Sequence, residues 1–313
     1  MAYNHHQATQ LKQKELKHFK NLQNLSNYYG VDLKHPLINI RKYENTNREK
    51  LIQNEEISFD FYTISFVDNF NGNIKIGDIN FEGKNGVLHF IEPKQRYTCN
   101  STNPWKGYQI LIHPNIFKKN FYHKEIDSYD FFSYQVNESL LLTAQEEILV
   151  ENILSMAWNE FNKLNDEFSI PIILSYVSTL LNLTDRFYAR QFKTRKALNN
   201  KLSIEFFSLL KNYYSLSTKG EINQPTVQYF ADKLHVTPNY LSDTIRHHSG
   251  KPALTLIHDF IIEEAKKQLR SSHKTVSEIS YQLGFEYPNY FSRLFKKKVN
   301  QTPSDYRQSV KRV

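Results

Sequence analysis

The chain has 313 residues, a net charge of +8 and a single cysteine. This length allows two domains of ordinary size, and no apolar run approaches the roughly 18 residues of a membrane-spanning helix. One cysteine excludes an intramolecular disulfide, and the polar N-terminus contains no secretory core, so we expect a cytoplasmic protein with no membrane partner.

The first half of the chain changes from one weak helical pattern to a strand pattern. Residues 10–28 carry leucines and a phenylalanine among lysines, which indicates a surface helix. From about 35 to 115, apolar and polar residues alternate in short segments, as in Ile57 to Phe61, and the segments are separated by Asn-Gly and Gly-Asp turns. This pattern predicts a small antiparallel β-barrel, so the fold class is α+β.

Two long helices are predicted after the barrel, over about 141–192. Thr143 and Glu146 have the spacing of a capping box, and Pro171 suits the first turn of the second helix. Their apolar faces either form a dimer interface or pack on the barrel. The polar segment 190–200 is expected to be a hinge, which gives an N-terminal domain over 1–195 and a C-terminal domain over 200–313.

A short phrase occurs twice in the C-terminal domain. Pro238-Asn239-Tyr240-Leu241-Ser242 returns as Pro288-Asn289-Tyr290-Phe291-Ser292, and a short amphipathic helix precedes each copy. A helix, a tight turn and a second helix form a helix-turn-helix unit, whose second helix can enter a DNA major groove. We therefore predict two such units, over about 226–249 and 275–299, joined by a connector helix over about 252–270.

The basic residues are concentrated with this repeat. Residues 201–313 hold 17 Lys and Arg against 10 Asp and Glu, whereas the first 200 residues hold 23 against 22. A basic excess on the repeated units is what binding to DNA phosphates requires.

The helical period places one set of side chains on the outer side of each second helix. Leu241 and Ile245 are expected to face inward, as are Phe291 and Phe295. Asn and Arg can make bidentate contacts to bases, and Lys suits phosphates, although such residues also occur on ordinary solvated faces. The predicted phosphate-binding residues are Arg246, His247, Lys296, Lys297 and Lys298.

Several segments resemble the AraC/XylS family of transcription regulators. They are Ala231 to Ser242, Ile279 to Phe285, Tyr290 to Lys297 and Thr302 to Arg307. The resemblance covers about residues 200–310. It implies a DNA-binding domain of about seven helices, contact with RNA polymerase and a role as an activator. It also implies that the base-reading residues are Asn239, Ser242, Asp243, Asn289, Ser292 and Arg293. Asp243 departs from the basic or neutral residue often found there, although a carboxylate can accept a hydrogen bond from cytosine.

The N-terminal half resembles the family's cupin-like effector domain only in outline. Its aromatic residues either line a pocket for a small-molecule effector or form ordinary core. The candidates are Phe61, Phe81, Phe90, Tyr97, Trp105 and Tyr108.

Enzymatic alternatives have weaker support in the sequence. A metal-dependent cupin enzyme fused to a DNA-binding module would need clustered ligands, but His89 and His113 stand apart. A DNA-repair methyl acceptor would need several reactive cysteines, but Cys99 is the only cysteine in the sequence. A pure interaction scaffold would leave the outward polar residues without a purpose. We therefore expect a homodimeric regulator of double-stranded DNA with no catalytic residue, no cofactor and no metal.

Overall fold

The computed structural model describes residues 16–30, 32–45, 56–68, 72–76, 79–83, 86–98, 106–119, 126–135, 138–163, 166–194, 196–216 and 223–311. The chain divides into two compact units between Asp185 and Arg186. They are called the N-terminal unit and the C-terminal unit, and each is described by itself.

The N-terminal unit is built on mainly antiparallel strands followed by helices. The strands are β1 Leu16–Phe19, β2 Ile38–Lys42, β3 Glu56–Phe59, β4 Tyr62–Asp68, β5 Gly72–Ile76, β6 Ile79–Gly83, β7 Val87–Ile91, β8 Tyr97–Thr98, β9 Lys106–Ile112 and β10 Leu140–Leu141. Five of them form the main sheet in the order β10-β7-β4-β9-β2. Strands β1, β3 and β8 form a second sheet, and β5 pairs with β6.

The main sheet does not close into the predicted barrel. Strand β10 stands at one edge and β2 at the other, and no pairing joins these two strands among the described residues. Closure would require both edges to pair along their length, and β10 has only two residues. The unit is therefore cupin-like only in outline.

The predicted N-terminal helix is shorter than expected. Residues 10–15 lie outside the described part of the chain, and Leu16–Phe19 forms β1, which pairs in parallel with β3. Helix α1 follows over Leu22–Tyr29, where Asn24 N–H donates to Asn21 Oδ1 at 2.9 Å. Its buried residues pack with Phe59, Phe61 and Leu111 in one apolar cluster.

Two long helices follow the sheet, as predicted. Helix α2 spans Ala144–Lys163 and α3 spans Ser169–Thr194. The capping box at the start of α2 is confirmed, because Thr143 N–H donates to Glu146 Oε2 and Glu146 N–H donates to Thr143 Oγ1.

The predicted hinge over 190–200 is helical where it is described. Helix α3 continues to Thr194, residue 195 lies outside the described part, and the next helix begins at Lys196. The segment contains no Gly or Pro to interrupt a helix, so its polarity alone was a misleading signal for a hinge. The division between the two units falls earlier, inside α3.

The C-terminal unit contains the end of α3 and seven further helices in its described residues. They are α4 Lys196–Leu216, α5 Val227–Leu234, α6 Pro238–Ser249, α7 Ala253–Ser271, α8 Val276–Gln282, α9 Pro288–Val299 and α10 Pro303–Lys311. One apolar core joins them, and the connector α7 contributes Ile257, Ile261, Ala265 and Leu269 to it. Both repeated helix pairs are therefore packed on the same central helix. Among the described residues, no helix is both long and apolar enough to cross a bilayer.

Candidate nucleic-acid interface

Local capping signals begin both helices of the first helix-turn-helix unit. Thr226 Oγ1 accepts a hydrogen bond from Tyr229 N–H at the start of α5, and Thr237 Oγ1 accepts one from Tyr240 N–H at the start of α6. Pro238 occupies the first turn of α6, where a missing N–H costs nothing. The turn between the helices begins at His235, whose φ of 55° is left-handed.

The second unit repeats this arrangement with different details. Thr275 and Glu278 form a complete capping box at the start of α8. Gly284 makes the turn with a φ of 85°, and a Cβ built on it would lie 2.2 Å from the carbonyl carbon of Asn223. Only glycine fits this position, because the backbone of residues 223 and 224 approaches so closely.

The predicted inward side of both second helices is confirmed. Leu241, Ile245, Phe291 and Phe295 are fully buried in the core of the C-terminal unit. Their burial fixes the rotation of α6 and α9, and hence which side chains face outward.

Asp243 was predicted to read bases from the outer side of α6, but the structure does not place it there. Asn239 and Arg246 are exposed and Ser242 is partly exposed, but Asp243 retains only 6% of its surface. Its Oδ1 lies 2.5 Å from Arg246 Nη2, within an ion pair whose arginine side chain is 51% exposed. Asp243 thus faces the protein, and Arg246 is the charged group that projects from this part of the helix.

A segment of α3 explains why this flank of α6 is covered. Phe192, which belongs to the C-terminal unit, lies with its ring centroid 5.4 Å from that of Tyr240 and 4.9 Å from that of His247. Tyr240, Asp243 and His247 are three or four residues apart, so they share one side of the helix. Tyr240 and Asp243 on that side are buried, while His247 contacts the Phe192 ring but keeps an exposed side chain.

His247 is therefore poorly suited to its predicted phosphate contact. Burial lowers the pKa of its imidazole, and the neighbouring charges of Arg246 and Lys193 lower that pKa further. A histidine with a lowered pKa is neutral at pH 7, and a neutral ring contributes no charge to phosphate binding.

The outer side of α9 is open and basic. Asn289, Arg293, Lys296 and Lys297 are exposed, and Ser292 is partly exposed. The guanidinium carbon of Arg293 lies 4.7 Å from the centroid of the Tyr290 ring. Tyr290 in turn contacts Tyr287, with ring centroids 5.8 Å apart.

Lys298 has a different environment from the two lysines before it. Its Nζ lies 2.7 Å from Asp259 Oδ1 on the connector α7, and Lys251 Nζ lies 3.1 Å from the other oxygen of that carboxylate. Partial burial alone would raise the pKa of Asp259, but the hydrogen bonds from Lys298 and Lys251 outweigh it and lower that pKa. Lys298 thus ties α9 to α7, while Lys296 and Lys297 extend into solvent.

The candidate effector-pocket aromatics do not gather around one space where their side chains are described. Phe61 stacks on Phe59 in the cluster beneath α1. Phe90 lies on the opposite face of the main sheet, against Phe131. Tyr108 shares that opposite face by its register and is buried. These three are core residues, and the side chains of Phe81, Tyr97 and Trp105 lie outside the description.

A row of polar side chains crosses the main sheet and was missed from the sequence. Arg41, Gln109, Ser65 and His89 are successive cross-strand partners on β2, β9, β4 and β7. Arg41 donates to Gln109 Oε1, and Gln109 Nε2 donates to Ser65 Oγ at 3.3 Å. His89 Nδ1 lies 3.1 Å from Ser139 Oγ. Only strand register brings these residues together, so no local pattern could have indicated them.

Metal ligands are not clustered in the part of the chain that the structure describes. Within it, no group of three His, Cys, Asp or Glu side chains is placed to hold an ion. Cys99 lies outside that part.

Comparison with known proteins finds a family match within the C-terminal unit. The family described as Helix-turn-helix domain matches residues 230–309, a range that includes the connector α7 and both second helices. The C-terminal unit contains an AraC-type helix-turn-helix domain.

Curated relatives match only part of the chain. The bifunctional transcriptional activator/DNA repair enzyme AdaA of Bacillus subtilis is 30% identical over 123 residues, which cover 39% of this chain and 57% of AdaA. The transcriptional activator RhaR of Yersinia pseudotuberculosis is 33% identical over 79 residues, or 25% of this chain and 27% of RhaR. The chain thus spans little more than half of AdaA and about a quarter of RhaR.

A solved structure is also similar to part of the chain. The C-terminal domain of the response regulator yesN from Fusobacterium nucleatum is 32% identical, covers 32% of this chain and 95% of its own, and has a TM-score of 0.29.

Proposed function

We propose that the protein is a transcription regulator that binds double-stranded DNA in a sequence-specific manner. The observation that carries this proposal is the pair of second helices, α6 and α9, which are packed on one connector and present polar side chains outward. Each would enter one of two successive segments of the major groove. Because the target would be chromosomal DNA, we also propose that it acts in the cytoplasm.

The side chains offered by the two helices suit different parts of DNA. Asn239 and Asn289 are amides that can bond adenine, and Arg293 has the planar fork that recognises guanine. Lys296 and Lys297 carry point charges on flexible stems and suit phosphates. These roles follow the base-reading positions implied by the family resemblance, except at Asp243, and the predicted phosphate contacts, except at His247 and Lys298.

The connector supports the use of both helices on one face of the duplex. Helix α7 has 19 residues, so its length is about 28 Å at 1.5 Å per residue. One turn of DNA is about 34 Å long. Since α6 and α9 belong to the same core as α7, a single chain would hold both reading helices at a fixed separation.

The N-terminal unit is proposed to form a homodimer through its long helices. Ile148 and Met156 on α2 are 61% and 45% exposed, and they lie eight residues apart on one side of that helix. Phe168, just before α3, is 63% exposed. A second copy of this chain would cover such a surface, and sedimentation of Ile148→Glu and wild type would test it.

The same unit is proposed to bind a small-molecule effector. The polar row from Arg41 to His89 supports this, because it places hydrogen-bonding groups side by side on four strands of the main sheet. Regulation would follow if the effector bound one arrangement of the protein better than another. Isothermal calorimetry with wild type and Arg41→Ala would show whether a ligand found by screening uses this row.

Activation through RNA polymerase is the proposed outcome of binding. AdaA and RhaR are both named transcriptional activators, and they are similar to this chain in the AraC-type domain. The repair activity in the name of AdaA is not carried over, since this chain has one cysteine. We propose a regulatory and not a catalytic role.

Two substitutions on α9 test DNA reading directly. Arg293→Ala should reduce the free energy of DNA binding by about 1–3 kcal/mol and relax the preference at one base pair, because a bidentate contact is lost. Lys296→Ala should weaken binding to all DNA sequences alike. It should also lower the slope of log affinity against log salt by about one. If Arg293→Ala also weakens every sequence equally, Arg293 contacts only phosphate.

A further inference from the structure

The two second helices each carry an arginine held by the side chain three residues before it. On α6, Asp243 forms an ion pair with Arg246. On α9, the ring of Tyr290 lies beneath the guanidinium of Arg293. Residues three apart on a helix are surface neighbours, so each pair is built into its own helix and needs no other element to form.

Asp243 is placed to orient its partner and not to contact a base. Its side chain is 9% exposed, whereas that of Arg246 is 51% exposed. The carboxylate lies on the flank that also carries Tyr240 and His247, and the Phe192 ring contacts both of these neighbours. A buried carboxylate with a short side chain holds one edge of the guanidinium, and the rest of the planar fork faces outward.

Tyr290 holds Arg293 by a different contact with the same result. A guanidinium above an aromatic face is attracted by the ring's quadrupole. Stacking uses the flat face of the guanidinium and leaves its N–H groups available for hydrogen bonds in the plane. Contact with Tyr287 restricts the Tyr290 ring in turn.

The two arginines are not equivalent in the repeat. When Pro238 is aligned with Pro288, Asp243 corresponds to Arg293, and Arg246 corresponds to Lys296. Arg246 therefore stands three residues further along its helix, or about 4.5 Å at 1.5 Å per residue. The first unit has its carboxylate where the second has its arginine.

We propose that Asp243 and Tyr290 are positioning residues, and that the oriented arginines Arg246 and Arg293 set the base preference of the two units. This inference rests on the proposed function and changes the expected role of Arg246 from phosphate binding to base reading. Each oriented fork suits guanine, which offers two acceptors at one edge in the major groove. The two units would then read guanine with arginines at different positions along their second helices.

The test uses the full chain and a pool of randomised duplex DNA. Wild type must first select a motif, because failure at that step contradicts the proposed function and not the positioning roles. Asp243→Asn, Arg246→Ala and the double variant are then compared with wild type. We expect each single variant to lose about tenfold discrimination at the same base pair, and the double variant to lose no more than either.

A direct contact between Asp243 and DNA would give a different result. The single variants would then affect different base pairs, and their losses would add in the double variant. That outcome would overturn the inference for α6. Thermal unfolding of each variant confirms that it is folded at the temperature of the selection.

The second helix has a matched pair of substitutions. Tyr290→Phe keeps the aromatic face and should retain the guanine preference of wild type. Tyr290→Leu removes the face and should lose about tenfold discrimination at the base pair affected by Arg293→Ala. Equal behaviour of Tyr290→Phe and Tyr290→Leu would overturn the inference for α9.

Discussion

Tyr240 and Tyr290 occupy the same position in the two repeated helices, yet Tyr240 is 4% exposed and Tyr290 is 58% exposed. The difference comes from Phe192, whose ring lies against Tyr240. One repeat thus has a flank that is part of the protein core, and the other has the same flank open beside Arg293. The two copies of the motif therefore differ in the exposure of this flank as well as in sequence.

Removal of the Phe192 ring should destabilise the C-terminal unit. Phe192 is 6% exposed, and Phe192→Ala would uncover Tyr240 and leave a cavity, at a cost of about 3 kcal/mol. Denaturant unfolding followed by tyrosine fluorescence or circular dichroism measures this loss. Tyr281→Ala is the control, because Tyr281 is 56% exposed and its loss should change stability by less than about 1 kcal/mol. Equal effects of the two variants would contradict the packing role of Phe192.

Substitution of His247 should leave the salt dependence of DNA binding unchanged near pH 7.5. The lowered pKa of His247 keeps the ring neutral there, so His247→Ala removes no phosphate-neutralising charge. Lys297→Ala should reduce the slope of log affinity against log salt by about one. Fluorescence anisotropy with a labelled duplex at several salt concentrations measures both slopes. A reduced slope for His247→Ala at this pH would show that the ring is charged in the complex.

Gly284 and Gly250 should respond differently to alanine. Both have positive φ, but a Cβ at Gly284 would meet the backbone of residues 223 and 224, whereas a Cβ at Gly250 would meet nothing within 4 Å. Gly250→Ala should cost about 1–2 kcal/mol from backbone strain alone. Gly284→Ala should cost more than about 3 kcal/mol, since strain and steric overlap combine. Similar unfolding midpoints for the two variants would argue against the close approach at Gly284.

The N-terminal unit should lose stability as the pH falls below about 6.5, partly because of His89. Burial lowers the pKa of His89 to about 4, so the folded state stays unprotonated while the unfolded state takes up a proton near the ordinary pKa of 6.5. The contribution of neutral His89 to the free energy of unfolding is complete above pH 6.5. It is lost at about 1.4 kcal/mol per pH unit down to about pH 4. Urea unfolding of wild type and His89→Gln at a series of pH values measures it. An unchanged pH slope in His89→Gln would contradict the lowered pKa.

The helices of the C-terminal unit could be predicted because the sequence signals that define them are local. Thr226, Thr237 and Thr275 cap the helices that follow them, and these caps are written within four residues of sequence. The spacing of Leu241 and Ile245 predicted their burial in the same way. The burial of Asp243 was not predicted, because this side of α6, with Tyr240 and His247, contacts Phe192 on a different helix.

The N-terminal unit was less predictable because its order depends on distant pairings. The strand segments were visible as alternation, but the alternation does not say which strands become neighbours or whether a sheet closes. Strand β1 exists because it pairs with β3, some forty residues later, and the short β10 leaves the main sheet open. The polar row from Arg41 to His89 appears only once the register of four strands is known.

Selection of genomic fragments by the purified full chain at about 150 mM salt tests the central claim most directly, because non-specific phosphate binding is weakened there. The proposed function predicts a recurring motif of two blocks separated by about one helical turn, one block for α6 and one for α9. Fragments enriched without any shared motif, with or without added cell extract, would contradict sequence-specific reading by the two helices.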